Sequence, residues 1–209
     1  MNLIFFGPPG VGKGTIAKKI STVQEIPHIS SGDILRAAIK KGTKLGEIAA
    51  EYMDVGKLVP DHFVIDLVKR RIGMPDCKQG FILDGFPRTI GQAEALEQHG
   101  IVIDKVINFI ADDSVIVSRI SGRRICTKCS EIYHIKNNPP KVAGICDHDG
   151  AELYQRPDDK QETIKRRLEI YRLESSSLID HYRNKNLLAD IDGEGSITQM
   201  TTDTLTALK

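Results

Sequence analysis

Nine residues near the start of the chain, Gly7-Pro8-Pro9-Gly10-Val11-Gly12-Lys13-Gly14-Thr15, combine a backbone free to wrap with a fixed cation. Glycines let successive N–H groups turn toward one point, and a helix N-terminus adds a positive dipole end. A lysine so placed reaches the outer phosphates of a nucleotide. Against the pattern GxxxxGK(S/T), Gly7, Gly12 and Lys13 fit. Gly14 stands where the hydroxyl residue is expected, and a hydroxyl arrives one place later at Thr15. The alternative is a Gly/Pro turn with no ligand. The apolar residues before it and helical residues after it favour a phosphate loop.

Three further groups carry possible chemistry. Asp84 ends the apolar run Phe81-Ile82-Leu83. A carboxylate at the end of a strand, near a phosphate loop, suits Mg²⁺ held directly or through water; the bland alternative is a turn cap. Arg36, Arg88, Arg119, Arg123, Arg156 and Arg167 are scattered near element ends. Arginine suits bidentate phosphate contact and charge stabilisation during phosphoryl transfer, although any one of them could be a solvated face. Arg167, within Lys165-Arg166-Arg167, is the weakest. Lastly, Cys126-Thr-Lys-Cys129 is followed after sixteen residues by Cys146-Asp-His-Asp149. That is the spacing of a four-ligand zinc site with Asp149 in the fourth place and His148, one residue off register, as its rival. Cys77 lies outside the pattern and reads as a core or loop thiol. Tyr133 either fills the core of this segment or packs on a base.

The elements that must position these groups follow from periodicity and capping signals. Asn2–Phe6, Ile26–Ile29, Phe81–Asp84, Lys105–Ile110 and Leu187–Ile191 read as strands. Helices are expected from the loop to about Val23, over Ile34–Ile39, Leu45–Val55, Asp61–Ile72, Gln92–Gln98, Asp113–Ile120, Thr163 to about Arg183, and Ser196–Leu208. Asp159 and Glu162 are placed as a capping-box-like start for the long helix. Alternation of strands and helices implies an α/β, doubly wound parallel sheet of about five strands. Residues 30–59 form a helical excursion. Residues 122–159, with three cysteines, form a small β-rich insert that a metal could order. Glycines 32, 42, 56, 122 and 144 near these boundaries are candidate hinges or caps.

The bulk numbers exclude other classes. The 209 residues suffice for one core plus small insertions, and 40% apolar with 27% charged residues is ordinary for a globular chain. A net charge of +1 gives no nucleic-acid or membrane-surface footprint. No run of 18 apolar residues and no leader pattern is present, so a cytoplasmic protein with reduced, metal-binding thiols is expected.

Taken together, Gly7–Thr15, Ile29-Ser-Ser-Gly-Asp-Ile-Leu-Arg36, Gly80-Phe-Ile-Leu-Asp-Gly-Phe-Pro-Arg-Thr89 and Arg119–Arg124 resemble the adenylate kinase family. The cysteine-bearing insert matches its long form with a zinc-containing lid. The resemblance runs end to end, and the Gly14–Thr15 offset is what that family shows. It implies a phosphate-loop NTPase-type fold and reversible, Mg²⁺-dependent phosphoryl transfer from ATP to AMP giving two ADP, which maintains adenine nucleotide balance. It implies a core of residues 1–29, 60–121 and 160–209, an AMP-binding insert at 30–59 and a lid at 122–159. Carried over by position, Gly10, Val11, Gly12, Lys13, Gly14 and Thr15 hold ATP with Arg119, Arg123, Ile132, Tyr133 and the backbone of Gly195. Ser31, Arg36, Lys57, Leu58, Val59, Gly85, Phe86, Pro87, Arg88, Gln92, Arg156 and Arg167 hold AMP. Lys13, Asp84, Arg88, Arg123, Arg156 and Arg167 serve the transfer. Cys126, Cys129, Cys146 and Asp149 hold zinc. A monomer with no nucleic-acid or membrane partner is implied. Ser31 stands where Thr is usual, Asp149 replaces a fourth Cys as in a known variant of the lid, and Gly195 offers only its main chain.

Two rivals remain at this point. Another phosphate-loop kinase would act on a different monophosphate, or on a hydroxyl with Asp33 as base. Arg36 and Arg88 favour a phosphate-bearing acceptor. A zinc-ribbon nucleic-acid binder would need more positive charge than Arg119, Arg123, Arg124 and Lys128 supply.

Overall fold

The computed structural model describes residues 1–209. Strand β1 (Asn2–Phe6) is the centre of a five-stranded parallel sheet. Around it lie β2 (His28–Ser30), β3 (Phe81–Asp84), β4 (Lys105–Ile110) and β8 (Leu188–Asp192), in the order β2-β3-β1-β4-β8. Asn2 pairs with Phe81 on one side and Leu3 with Lys105 on the other, so the C-terminal ends of β1, β3 and β4 form one rim. From β1 the chain crosses to the edge strand β2, returns to β3 beside β1, and then passes to β4 and β8 on the other side. That places a crevice at this rim, where open α/β sheets bind ligands.

The two-residue period of β1 sorts its side chains. Ile4 and Phe6 join a core cluster with Leu83, Phe86, Leu96 and Tyr182. Leu3 and Phe5 join the opposite cluster with Ile16, Ile20, Ile107 and Met200. Helix α1 (Lys13–Gln24) and α8 (Ile197–Ala207) cover the second face, with α6 (Asp113–Ser121). Helix α4 (Asp61–Ile72) and α5 (Ile90–Gln98) cover the first. Helix α7 (Gln161–Asn184) is long enough to serve both: Ile164 and Leu168 belong to one core, Leu178 and Tyr182 to the other.

Two units project over the rim. Helices α2 (Ser31–Lys40) and α3 (Lys44–Met53) form the helical excursion, and a Cβ on Gly46 would stand 2.2 Å from Ala38 O, so glycine sets how closely they cross. The second unit is a three-stranded antiparallel sheet of β5 (Arg123–Cys126), β6 (Ile132–His134) and β7 (Leu153–Tyr154) in the order β6-β5-β7. Its core is small: Cys126, Tyr133, Cys146 and Leu153.

Side-chain capping marks the start of four of the eight α-helices. Ser30, Thr43, Thr89 and Ser196 each accept an N–H from the residue three positions on. Thr89 in that role starts α5 at Ile90, two residues earlier than the apolar pattern alone indicates. One expectation fails outright. No capping box opens α7; its cap is Lys160, with no side-chain bond, and Asp159 is buried at 1% exposure against Arg123. A salt-bridging partner from the β-rich unit outcompetes the local backbone. Gly32 also differs from expectation, because it lies inside α2 rather than at a hinge. A Cβ there would come within 2.9 Å of Arg36 Nη2.

Candidate active site

The phosphate loop follows β1 directly and ends at Gly12, whose φ of 114° precedes the first turn of α1. Gly10, at φ 79°, has no space for a side chain: a Cβ would meet Ile120 Cγ1 at 2.1 Å. Lys13 curls back over the loop and donates to Gly7 O at 2.7 Å and Pro8 O at 2.8 Å. Burial pushes its pKa down to about 8. Asp84 opposes that shift, and Arg88, Arg167 and Arg123 add to it.

Asp84 lies beside the start of α1, with Oδ2 3.4 Å from where a Gly14 Cβ would be. Sequence reasoning missed its partner: His28 Nε2 is 3.2 Å from Asp84 Oδ2, and both side chains are largely buried. Parallel pairing of β2 with β3 makes this contact by setting His28 opposite Ile82, an arrangement no local motif announces. Burial works against ionising Asp84, but the His28 hydrogen bond and the Lys13 charge outweigh it and hold the carboxyl below its usual range.

The scattered arginines converge on one cleft of about 930 Å³, lined by the loop, Asp84, Arg36, Arg88, Arg119, Arg123, Arg156 and Arg167. Each is held by a specific acceptor. Arg123 Nε donates to Asp159 Oδ2 at 2.8 Å, and its Nη2 pairs with Asp159 Oδ1. Arg167 Nη1 meets Asp158 Oδ2 at 3.0 Å, so it belongs to the cleft and not to a wet helix side. Asp33 Oδ1 accepts from Arg36 at 2.6 Å and from Arg156 at 3.4 Å. Arg88 Nε donates to Gly85 O at 2.8 Å. Burial pushes Arg88 down to about 10, with Arg167 adding to the effect. Burial likewise brings Arg156 to about 10, helped by Arg36 and Arg123. Six cations (Lys13 and these five arginines) face four carboxylates: Asp33, Asp84, Asp158 and Asp159. Arg156 Nε is buried with no partner. A surplus of buried positive charge with a free donor is what a pair of polyanions requires.

Arg119 is different. Its guanidinium donates through both Nη atoms to four carbonyls, those of Val11, Gly193, Glu194 and Gly195, which fixes its plane at the wall of the cleft. The Tyr133 ring belongs to the small β-rich core at 4% exposure, so it lines the cleft with backbone rather than by stacking. Beyond the arginines a second hollow is walled by Leu35, Met53, Lys57, Leu58, Val59 and Val64, with Ser31, Gly85 and Gln92 at its polar edge.

In the β-rich unit, Cys126, Cys129, Cys146 and Asp149 bring one ligand atom each to within 4.8 Å of one another; His148 is not part of the group. Cys129 Sγ is 3.6 Å from Cys146 Sγ, and Cys126 Sγ is 3.3 Å from Asp149 Oδ1. Tetrahedral zinc with bonds of about 2.3 Å to sulfur and about 2.0 Å to oxygen has edges of about 3.8 Å and about 3.5 Å. The donor set and its spacing fit that ion. The Lys128 and Cys129 amides point at Cys126 Sγ from 3.3 and 3.4 Å, as expected for a sulfur carrying negative charge.

A sequence model described as Adenylate kinase matches residues 5–187. A protein named adenylate kinase from Methanocella arvoryzae is 51% identical, with 100% of this chain and 99% of that one aligned. One from Caldicellulosiruptor saccharolyticus is 53% identical over 100% of this chain and 99% of its own. One from Bacillus subtilis is 50% identical over 97% and 95%. Agreement at half of all positions over the full length, on top of a cleft lined by the glycine-rich loop and six arginines, places the chain in the adenylate kinase family of nucleoside monophosphate phosphotransferases.

Proposed function

We propose that phosphoryl transfer from ATP to AMP proceeds in this cleft, with the ATP phosphates in the Gly7–Thr15 loop and AMP in the hollow under α2 and α3. The observation that carries this reading is the convergence of Arg36, Arg88, Arg123, Arg156 and Arg167 on the space in front of Lys13. The acceptor oxygen of a monophosphate is already anionic, so no general base is required. The task is to bring two anions together and exclude water. Lys13 follows the β- and γ-phosphates, exchanging its Gly7 and Pro8 carbonyl contacts for phosphate oxygens. Arg123 and Arg167, braced by Asp158 and Asp159, stabilise the charge of the transferring group, and Arg36, Arg88 and Arg156 fix the AMP phosphate. The ATP base lies between the Arg119 face and the backbone of Ile132, Tyr133 and Gly195. Ser31, Lys57–Val59, Gly85 and Gln92 line the hollow for the AMP base and ribose, while Pro87 lines the main cleft and the Phe86 side chain is buried in the core.

Magnesium arrives with ATP and would be held through Asp84, where it screens phosphate charge. Zinc would be held by Cys126, Cys129, Cys146 and Asp149, where it gives a unit with a four-residue core its rigidity. We read residues 30–59 as the AMP-binding unit, 122–159 as the lid and the remainder as the core. A monomer working in the cytoplasm suits four free thiols, and no helix is long and apolar enough to cross a membrane.

The test is ADP formation from ATP with AMP, CMP, UMP and GMP offered in turn. AMP is expected to be the preferred acceptor; no turnover with AMP would defeat the reading.

A further inference from the structure

Gln92 is 2% exposed and held at both ends of its carboxamide. Its Oε1 accepts the backbone N–H of Arg88 at 2.7 Å, and its Nε2 donates to Asp61 Oδ1 at 2.7 Å. The other oxygen of Asp61 accepts the Thr89 hydroxyl at 2.6 Å. Half a turn of the amide would set its NH₂ against the Arg88 N–H and its oxygen against the Asp61 carboxylate. Donor would face donor and acceptor would face acceptor in a buried place, so one orientation alone is stable. A carboxamide has two acceptor sites and two N–H groups. After these bonds, one lone pair on Oε1 and one N–H on Nε2 remain for the hollow lined by Leu35, Met53, Val59 and Val64.

We propose that Asp61 is a positioning residue that fixes the Gln92 carboxamide in the orientation that accepts a 6-amino purine and refuses a 6-oxo purine. This rests on the reading that Gln92 meets the base of AMP. Adenine offers an N6–H donor and an N1 acceptor, which match the free oxygen and the free N–H. Hypoxanthine offers an O6 acceptor and an N1–H donor, which oppose both. A glutamine able to flip would serve either base equally, so the selectivity resides in the two groups that hold it, the Arg88 N–H and the Asp61 carboxylate, of which the carboxylate is the one a side-chain substitution removes.

The wild-type enzyme tests this with ATP as donor and three acceptors: AMP, purine riboside monophosphate (which lacks the 6-amino group) and IMP. The purine riboside loses one bond, whereas IMP meets two opposed pairs. The expected kcat/KM falls about tenfold or more from AMP to the purine riboside, and about tenfold or more again to IMP. IMP equal to or better than the purine riboside overturns the proposal. In Asp61→Asn the new amide can donate to a flipped Gln92. The AMP-to-IMP ratio is expected to narrow about tenfold or more through the acceptor KM, with the KM for ATP unchanged. An unchanged ratio in an Asp61→Asn protein that melts like wild type also overturns it. Should that variant fail to fold, Asp61→Ser is read in the same way, because the wild-type series reports the orientation of Gln92 and the Asp61 variants report what fixes it. Gln92→Leu separates the two layers. If it leaves the AMP KM and the ratio untouched, the base-pocket reading itself is wrong. If it erases the ratio while Asp61→Asn does not, only the role of Asp61 is wrong.

Discussion

Lys13 holds the only amino group that reaches the phosphate loop carbonyls, and its environment sets a pH dependence. Its pKa is lowered from 10.5 to about 8, so the free enzyme loses this charge as pH rises through about 8. The kcat/KM for ATP, which reports free-enzyme ionisations, is expected to fall above that pH, and Lys13→Arg should lack this limb. The stability effect has the opposite sense. Between about 8 and 10.5 the unfolded chain binds more protons at this site than the folded one, so the Lys13 contribution to stability increases with pH there. Thermal melts of wild type against Lys13→Met across that window measure it. Lys13→Ala should cost about a hundredfold or more in turnover while the chain stays folded, as circular dichroism would show. Near-normal turnover would remove Lys13 from the site. Gly10→Ala fails for a steric reason, since its Cβ lands 2.1 Å from Ile120 Cγ1 at a positive φ. It is expected to raise the KM for ATP and to lower stability by about 1–3 kcal/mol, checked by kinetics and chemical denaturation.

At the level of elements, the β-rich unit and the α2–α3 pair owe their order to different devices. The core cluster of the β-rich unit has four buried residues, two of them cysteines, too few to stabilise it by apolar burial alone. About one zinc per purified chain is expected. A strong chelator or Cys129→Ser should lower the melting temperature and the affinity for ATP; a metal-free protein that melts unchanged would refute a structural metal. The α2–α3 pair depends on close packing through Gly46 instead. Gly46→Val should force the helices apart and cost about 1–3 kcal/mol, with the KM for AMP rising more than that for ATP. Helix α7 carries Arg167 at one end and core residues for both faces of the sheet along its length, so it transmits packing from the core to the transfer site.

Across the whole molecule, the two projecting units lie over the cleft and touch each other. Lys40 of α2 donates to Thr127 O at 3.2 Å, Lys18 of α1 is 3.4 Å from Glu131, and Arg156 reaches Asp33 at 3.4 Å. Lys18 and Glu131 are both about half-exposed, and exposed pairs are worth about 0–1 kcal/mol, so they can bias closure but not lock it. Glu131→Ala is expected to change the KM for ATP by less than about fivefold, with no change in melting temperature. A larger effect would mean that this pair, rather than the nucleotides, holds the lid down. On the proposed reading, bound phosphates would neutralise the surplus of arginine charge, and that surplus is a property of the assembled cleft.

The sequence by itself determined the parallel sheet, because each buried strand is an apolar run and each crossover a periodic helix. It determined the phosphate loop, because glycine spacing and the neighbouring lysine are contiguous. It determined the cysteine pairs for the same reason: ligands close in sequence must be close in space. What only the tertiary structure decided are relations between distant segments. The choice of Asp149 over His148, the role of Asp159 as a brace for Arg123 instead of a helix cap, and the burial of the Tyr133 ring all depend on how the lid folds on itself and on α7. The His28–Asp84 contact depends on strand order, and the Asp61–Gln92 bond on how α4 meets α5. Local pattern carries burial and capping, whereas the partner of a buried polar group is chosen by packing across residues that share no motif.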